Sequence, residues 1–240
     1  MSKMIEDLKK EAGEKAADYV ESGMVVGLGT GSTAVHAVRK IGQLLQNGRL
    51  HNIVGIPTSE ATRQEAERLA IPLTTFDENP VVDITIDGAD EIAPNFDLIK
   101  GLGAALLREK IVAAASKQMI VVSDDRKLVD KLGTRAPVPV EVIPFARQPV
   151  ETFLKSLGAR PVLRLDWKTK QDIVITDENN IILDCWFDGG LDNPREMGKA
   201  IRSQPGVVEH GLFFNLATRA IIAAADGIQI LERPLRSSSS

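Results

Sequence analysis

The chain has 240 residues, of which 43% are apolar, and a formal net charge of -4 at pH 7. This apolar fraction is enough for the core of one large domain, or of a large and a small one, and it excludes a disordered chain. The acidic balance, with a pI near 5.5, argues against a nucleic-acid-binding protein, which usually carries a basic face.

Three further features concern the compartment. The single cysteine, Cys185, excludes an internal disulfide and fits a reducing cytosol. The charged start MSKMIEDLKKEAGEK lacks the apolar region of a signal peptide. No apolar run reaches the roughly 18 residues that a membrane-spanning helix needs. We therefore expect a cytoplasmic globular protein.

The first half of the chain alternates predicted strands and helices. In chain order, the pattern predicts a helix over 3–21, a strand over 24–26, a helix capped by Ser32 or Thr33 and ending near Leu45, a strand over 53–56, a helix with Ser59 as N-cap, a strand over 81–90, a helix over 103–117 and a strand over 118–124. Short strands that are apolar on both sides are typical of a parallel sheet covered on both faces. We predict an α/β fold with a Rossmann-like parallel sheet.

The pattern changes after Gly133, where the proline-rich stretch APVPVEVIP indicates a crossing between domains. The predicted elements are a strand over 138–143, a helix over 149–157, a strand over 161–165, two strands over 172–176 and 181–187 joined by a DENN hairpin turn, a helix over 193–203 and a strand over 207–212. This is close to a split β-α-β arrangement with one strand more than the simplest version.

The last apolar stretch, ATRAIIAAADGIQILERP, is expected to return to the first sheet, and RSSSS is expected to be a frayed tail. We therefore predict a Rossmann-like catalytic domain over 1–132 plus 213–240. A second, smaller α+β domain, ferredoxin-like in its order of elements, is predicted over 133–212.

The turn GLGTGST lies between the first predicted strand and the second predicted helix, where backbone N–H groups and the helix dipole attract phosphate. Its glycines are spaced G-x-G-x-G, which differs from the G-x-G-x-x-G of dinucleotide-binding sites, and no Gly-Lys-Ser/Thr of a P-loop follows. The hydroxyls of Thr30, Ser32 and Thr33 fit a site for a single phosphate. An ordinary capped helix start explains the turn equally well.

Carboxylates follow the next strand of the pattern, in DGADE. Ligands of open parallel sheets bind beyond the carboxyl ends of the strands, which is where Asp87 and Asp90 fall. Gly88 and Ala89 permit a tight turn, so that both carboxylates face one pocket and hold sugar hydroxyls or transfer protons. The alternative is an Asx-turn with an N-cap. We assign Glu91 to solvent or to a structural cap.

The segment KGLGAALLREK starts with Lys100 and continues as a helix that is apolar on almost every side. This composition predicts a helix buried against the sheet. Glu109 lies between Leu106 and Val112 on that helix, and partial desolvation there raises a carboxyl pKa toward the range of a general base. The alternative is that Glu109 and its two charged sequence neighbours form a solvated cluster.

Lys127, in SDDRKLVD after the fourth predicted strand, either completes a phosphate site or lies at the surface. The three histidines are scattered without ligand spacing, so we expect no metal site. Cys185 lies inside a predicted strand, and no G-x-S-x-G elbow is present, so we expect this cysteine to pack rather than to act as a nucleophile.

In this order, GLGTGST, DGADEI, KGLGAALLREK, PVEVIP and PGVV resemble the type A family of ribose-5-phosphate isomerases. The resemblance extends from the first helix to the return strand. The family's site often reads Lys-Gly-Gly-Gly, whereas Leu102 takes the middle place here, where we expect only the backbone amide to be needed. The resemblance implies interconversion of D-ribose 5-phosphate and D-ribulose 5-phosphate through an enediolate, in the non-oxidative branch of the pentose phosphate pathway, without a metal or organic cofactor.

The resemblance also implies residue roles. Glu109 is the general base that moves the proton between C2 and C1. Asp87 assists ring opening and proton transfer between the oxygens, and Asp90 hydrogen-bonds the sugar. Lys100 and the amides of 101–103 stabilise the enediolate oxygen. The implied substrate-holding residues are Thr30, Gly31, Ser32, Thr33, Asp87, Gly88, Ala89, Asp90, Lys100, Gly101, Leu102, Gly103 and Lys127, with Lys9 adding charge near the phosphate.

The implied partner is a small sugar phosphate, with no nucleic acid and no membrane, and the implied assembly is a homodimer or homotetramer joined through the smaller domain. Two other classes stay open from the sequence. Coenzyme A transferases use a glutamate as nucleophile on related sheets, but nothing adenine-specific is present here. A non-catalytic sugar-phosphate sensor would not need Glu109, and the chain has no basic helix-turn-helix segment.

Overall fold

The computed structural model describes residues 4–233, so the expected tail at 236–240 lies outside the described part. The helices are α1 (Ile5–Ala17), α2 (Ala34–Gln46), α3 (Glu60–Arg68), α4 (Leu106–Ala114), α5 (Arg147–Ser156) and α6 (Pro194–Ser203). The strands are β1 (Val25–Leu28), β2 (Val54–Pro57), β3 (Val82–Gly88), β4 (Glu91–Ile92), β5 (Leu98–Ile99), β6 (Ser116–Asp124), β7 (Val138–Val142), β8 (Arg160–Leu163), β9 (Ile181–Trp186), β10 (Val207–His210), β11 (Leu212–Phe213), β12 (Arg219–Ala224) and β13 (Gly227–Glu232).

The largest sheet has six strands in the order β13-β12-β6-β3-β1-β2. Its strands are parallel except for β13, which pairs antiparallel with β12. Leu28 at the end of β1 is in register with Ile86 of β3 and with Pro57 of β2, so the carboxyl ends of these strands meet at one edge of the sheet. This edge carries the segments that follow each strand.

Both faces of this sheet are buried. Along β6, Ile120 and Val122 belong to a core cluster that includes residues of α1 and α2. Met119 and Val121 belong to a second cluster, which includes Ala113 of α4. Successive strand residues point to opposite faces, so this alternation places helices on the two sides of the sheet.

The smaller unit follows the order β7-α5-β8-β9-α6-β10, with an antiparallel sheet in the order β10-β7-β9-β8. This is the ferredoxin-like arrangement, and the predicted fold class is confirmed. The extra strand predicted over 172–176 is wrong, because this segment makes only the isolated bridges Leu165–Ile173 and Ile175–Ile181. The hairpin turn itself is present, since Thr176 and Asn180 are hydrogen-bonded across it.

A third, three-stranded sheet has the order β11-β5-β4, and it joins strands that follow β3 with a strand that follows β10. Its strand β11 pairs with β5, so the domain boundary predicted between 212 and 213 falls inside a strand. The division at 132/133 and 212/213 stays a prediction. Among residues 4–233, no helix has the length and apolar character needed to cross a bilayer.

Glu91 does not face solvent, which was the first of the two positions predicted for it. It is completely buried, and its carboxylate accepts hydrogen bonds from the backbone N–H groups of Gly133 (2.6 Å), Arg135 (2.6 Å) and Ala136 (2.7 Å). The solvent-facing position is therefore wrong, and a structural cap is what the carboxylate provides. It holds the segment that leads from the large sheet into β7.

Candidate active site

A cleft of about 170 Å³ opens at the carboxyl ends of β1, β3 and β6. Three separate motifs of the sequence meet there, because parallel strands end at the same edge of a sheet. The lining residues are Lys9, Thr30, Gly31, Ser32, Thr33, Gly88, Ala89, Asp90, Lys100, Gly101, Gly103, Glu109, Arg126 and Lys127.

A buried lysine lies between two carboxylates at the base of this cleft. The Lys100 Nζ lies 3.1 Å from Asp87 Oδ2 and 3.3 Å from Glu109 Oε1. It also donates a hydrogen bond to the Gly88 carbonyl oxygen at 2.6 Å. Lys100, Asp87 and Glu109 are exposed by only 2%, 0% and 4%. One positive charge thus faces two acids in a setting with little exposure to solvent.

Asp87 lies beneath the cleft rather than on its surface. Its Oδ1 accepts hydrogen bonds from the backbone N–H groups of Thr30 (3.0 Å) and Gly88 (2.7 Å). A side chain at Gly29 would meet this oxygen at 2.5 Å, so the close approach of β1 to Asp87 requires glycine there. Burial raises the pKa of Asp87, although Lys100 and these N–H groups oppose the change.

Burial raises the pKa of Glu109 to about 8, because desolvation disfavours the charged carboxylate. Asp87 and Asp90 raise this pKa further, whereas Lys100 lowers it. Burial alone would lower the pKa of Lys100, but the nearby carboxylates, Asp87 foremost, raise it overall. The lysine therefore stays charged while Glu109 changes protonation near neutral pH.

The alternative of a solvated charge cluster around Glu109 is wrong. Arg108 donates a hydrogen bond to Glu178, and the Lys110 Nζ lies 2.9 Å from Glu209. Glu178 and Glu209 both belong to the smaller unit, whereas Glu109 lines the cleft. The three consecutive charges of the sequence therefore have three separate environments.

A turn over residues 101–104 forms one wall of the cleft, closed by a hydrogen bond from the Ala104 N–H to the Gly101 carbonyl at 3.0 Å. Gly101 has a φ of 103°, a conformation that favours glycine. The Leu102 N–H donates to Asp90 Oδ2 at 3.0 Å. Leu102 is 42% exposed and is not among the residues that line the cleft. That only its backbone amide is needed stays a prediction.

The other end of the cleft is the start of α2. N–H groups in the first turn of a helix have no partner within the helix and attract anions. Gly31, with a φ of 107°, leads into this turn beside Ser32 and Thr33. Thr33 occupies the N-cap position, but its side chain makes no capping hydrogen bond. Lys9 and Lys127 also line the cleft and bring positive charge to it, although the Lys9 Nζ lies 2.7 Å from Glu6 Oε1.

Arg126 also lines this end, and the sequence reasoning missed it. Its Nε lies 2.6 Å from Asp124 Oδ1 at the end of β6. Its position next to Lys127, directly after a predicted strand, was the available signal.

The hydroxyl of Thr30 was expected in the phosphate site, but it makes other contacts. Its Oγ1 lies 2.7 Å from Thr58 Oγ1, 2.8 Å from Ser59 Oγ and 3.0 Å from Thr62 Oγ1. One hydroxyl offers one donor and two acceptor positions, so this cluster uses its full capacity. Thr30 ties β1 to the start of α3, and its hydroxyl does not join the phosphate nest that the sequence suggested. Ser59 is the N-cap of α3, as predicted.

The sequence also raised the questions of a metal site and of the role of Cys185. Within the described part of the chain, no group of three or more His, Cys, Asp and Glu residues has the geometry of a metal site. Cys185 is buried in β9, and burial raises the pKa of its thiol. It packs in the core of the smaller unit, as expected.

The family model of ribose 5-phosphate isomerase A (phosphoriboisomerase A) matches residues 54–227. The chain belongs to this family. The ribose-5-phosphate isomerase A of Desulfatibacillum aliphaticivorans is 51% identical over 92% of this chain and 95% of its own. That of Roseiflexus castenholzii is 50% identical over 94% of this chain and 95% of its own.

Solved structures agree with this assignment. The ribose 5-phosphate isomerase of Plasmodium falciparum has a TM-score of 0.92 at 39% identity, over 96% of this chain and 100% of its own. A D-ribose-5-phosphate isomerase in complex with phospho-erythronic acid has a TM-score of 0.92 at 40% identity, with the same shares of the two chains. The predictions of the family and of a ribose-5-phosphate isomerase are confirmed.

Proposed function

We propose that the chain interconverts D-ribose 5-phosphate and D-ribulose 5-phosphate through an enediolate, with Glu109 as the general base. The observation that carries this proposal is the buried lysine between two carboxylates, at the base of a cleft whose other end is the start of α2. An aldose–ketose isomerase must remove a proton next to a carbonyl and return it to the adjacent carbon. One base beside one fixed cation suits both steps.

Glu109 has the properties of this base. Its pKa of about 8 makes it a stronger base than an exposed glutamate, whose pKa is 4.5. Its Oε2 has no hydrogen-bond partner among residues 4–233, so this oxygen is available to a substrate proton. In the forward direction the carboxylate takes the proton from C2 of the open-chain aldose, and the carboxylic acid then returns it to C1.

Lys100 supplies the charge that stabilises the enediolate. It stays protonated beside Asp87 and Glu109, and it is held by the Gly88 carbonyl oxygen. A fixed cation in a buried site stabilises a developing oxyanion more than the same charge in water does, because it needs no reorganisation. Of the amides of residues 101–103, the Leu102 N–H donates to Asp90 Oδ2, whereas the Gly103 N–H has no acceptor among residues 4–233 and is available to the substrate.

The two aspartates take different places in this proposal. Asp90 lines the cleft, so it is placed to hydrogen-bond a sugar hydroxyl directly. Asp87 is fully buried and touches Lys100, so its contribution to ring opening and to proton transfer between oxygens involves that lysine. At the opposite end, the first turn of α2 with Lys9, Arg126 and Lys127 suits the phosphate.

The wider predictions rest on the family alone. They are turnover without a metal or organic cofactor, a place in the non-oxidative branch of the pentose phosphate pathway, a sugar phosphate as the sole partner type, and a homodimer or homotetramer in the cytoplasm.

The test is formation of ribulose 5-phosphate from ribose 5-phosphate in the presence of a chelator, for the wild type, Glu109→Gln and Glu196→Gln. Glu196 is an exposed glutamate of α6 and serves as the matched control. We expect chelator-resistant turnover that falls by several orders of magnitude only in Glu109→Gln. Full activity in Glu109→Gln would transfer the base to Asp87 or Asp90. If all three proteins are folded but inactive, trapping with an acyl-coenzyme A and hydroxylamine tests the transferase alternative.

A further inference from the structure

An arginine of the smaller unit reaches the wall of the cleft. Arg164 directly follows β8, and its Nη1 donates hydrogen bonds to the carbonyl oxygens of Gly101 (2.7 Å) and Leu102 (3.2 Å). Asp184 of β9 holds the same guanidinium, with Nε donating to Oδ2 at 2.9 Å and Nη2 donating to Oδ1. The side chains of Arg164 and Asp184 are only 10% and 18% exposed. The ion pair is therefore mostly buried, unlike a pair on the protein surface.

The contact determines where two N–H groups point. Residues 4–233 contain no cis peptide bond, and in a trans peptide the C=O and the N–H point in opposite directions. The Gly101 carbonyl points to Arg164, and the N–H of the same peptide, on Leu102, points to Asp90. The Leu102 carbonyl also points to Arg164, so the Gly103 N–H points the other way. Gly103 lines the cleft, and its N–H has no acceptor among the described residues.

The turn needs such support from outside. Gly101 has a φ of 103°, and Ala104, which is not a glycine, has a φ of 64°. Backbone in this region is sparsely populated by residues with a side chain and persists only when surrounding contacts impose it. A guanidinium is suited to this task because its planar group donates in several fixed directions at once. Here one edge is anchored on Asp184 while Nη1 holds both carbonyls.

We propose that Arg164 is a positioning residue that orients the Leu102 and Gly103 N–H groups toward Asp90 and toward the reacting oxygen of the substrate. The proposal rests on the proposed function, since it assigns the Gly103 N–H to the enediolate. Asp184 acts through Arg164. Arg164 lies 63 and 62 residues away in sequence from the two carbonyls. Through it, the smaller unit takes part in the chemistry.

The effect belongs to the chemical step. A donor aimed at a developing oxyanion is needed more in the transition state than in the bound substrate, so its loss lowers kcat more than it changes KM. Loss of one such donor typically lowers kcat by about 10²–10³-fold. Misorientation of donors that are still present is a smaller defect. We therefore expect Arg164→Met to lower kcat by roughly 10–100-fold and to change KM by less than about threefold.

The kinetic experiment compares Arg164→Met and Arg164→Lys with Arg160→Met. Arg160 is an exposed arginine of β8 whose guanidinium lies 5.9 Å from the centre of the Trp186 ring, so it is a matched control from the same sheet. We expect Arg160→Met to match the wild type. Arg164→Lys keeps one charged donor and should recover part of the kcat lost in Arg164→Met.

A binding experiment separates orientation of the amides from the rest of the site. Phospho-erythronic acid carries an anionic carboxylate where the enediolate carries its oxygen, whereas ribitol 5-phosphate has the phosphate and hydroxyls without that charge. By calorimetry, Arg164→Met should weaken binding of phospho-erythronic acid by about the factor lost in kcat. Its affinity for ribitol 5-phosphate should stay within about threefold of the wild type.

Asp184→Asn provides a second route if Arg164→Met unfolds. By itself, Asp184→Asn should lower kcat and change KM by less than about threefold, because it removes the anchor of the guanidinium. Where Arg164→Met is folded, adding Asp184→Asn to it should cost little more, because the two residues act as one unit. An active wild type with an Arg164→Met variant that matches Arg160→Met overturns the positioning role alone. Equal loss of affinity for both ligands also overturns it. A wild type that is inactive on ribose 5-phosphate overturns the proposed function, and this inference with it.

Discussion

Glu91 and Glu109 are both buried glutamates, yet their surroundings differ in kind. The Glu91 carboxylate accepts three backbone N–H groups at 2.6–2.7 Å where the chain enters β7. Glu109 has one oxygen 3.3 Å from the Lys100 Nζ and another without a hydrogen-bond partner among the described residues. Burial therefore does not by itself make a carboxylate reactive. A carboxylate whose lone pairs are used by the backbone stabilises the fold, whereas one with an unused oxygen is free to accept a substrate proton.

The largest expected effect separates these two roles by activity. Glu109→Gln should lower kcat by roughly 10²–10⁴-fold, the range in which general bases contribute, because the amide cannot take the C2 proton. Glu91→Gln should keep kcat within about threefold at a temperature where it is folded, since Glu91 does not line the cleft. Initial rates on ribose 5-phosphate measure both. A comparable loss in the two variants would show that Glu91 is more than a structural residue.

Substitution of Glu91 should reduce the free energy of unfolding more than substitution of Glu109 does, which is the reverse of the order expected for activity. Glu91→Ala leaves three buried backbone N–H groups without their acceptor, and each unsatisfied group costs about 1–3 kcal/mol. We expect a loss of about 3 kcal/mol or more in the free energy of unfolding, measured by urea denaturation. Glu109→Gln should lose less at neutral pH, because it removes a carboxylate that burial already disfavours. Equal losses would contradict the distinction between the two sites.

The pH dependence of activity should be a property of Glu109. A base must be deprotonated in the free enzyme, so kcat/KM should rise with pH and level off above about 8, the pKa of Glu109. Glu91→Gln should leave this profile unchanged. An acidic limb near pH 4.5 would show that the carboxyl of Glu109 titrates as if it were exposed.

The same pKa predicts a dependence of stability on pH. The pKa of Glu109 is raised on folding, from 4.5 to about 8, so folding favours its protonated form. Its contribution to stability is complete below pH 4.5 and is lost as the pH rises through about 8. The free energy of unfolding of the wild type relative to Glu109→Gln should therefore fall across this window, by at most a few kcal/mol. Urea denaturation at several pH values checks the sign.

The smallest effect concerns the Leu102 side chain, which belongs to the turn at 101–104 but does not line the cleft. Leu102→Gly should leave kcat within about threefold, because only the Leu102 backbone contacts Asp90. Stability should fall by up to about 1 kcal/mol, since glycine makes the unfolded chain more flexible. A large loss of kcat would show that the leucine side chain has a role in shaping the turn.

Much of the fold could be read from local patterns. The strands that lead into GLGTGST and DGAD, and the helix that carries Glu109, are predicted because apolar periodicity and turn residues act over a few neighbours. The antiparallel order of the smaller unit followed from the same patterns. The segment over 172–176 looked like a strand for the same reason, and it failed because pairing depends on a partner elsewhere in the chain.

The candidate site shows the same division. Asp87, Asp90, Lys100 and Glu109 could be proposed from motifs, since strand ends of a parallel sheet meet at one edge. Arg126 was missed although it stands beside Lys127 after a predicted strand, because this position is shared by cleft-lining and surface arginines. The Thr30 hydroxyl was assigned to the phosphate because its contacts with Thr58, Ser59 and Thr62 are not visible in the sequence.

The sequence by itself determined the order of elements, the glycine turns, the residue types at the strand ends and, through its ordered motifs, the family. Only the tertiary structure decided which charges are buried and what they contact. It placed Glu91 under three N–H groups, brought Lys100 between Asp87 and Glu109, and carried Arg164 to the turn at 101–104. The physical reason is that turns and periodicity depend on neighbours in sequence. Desolvation, pKa and hydrogen-bond satisfaction instead depend on atoms that folding brings from distant segments.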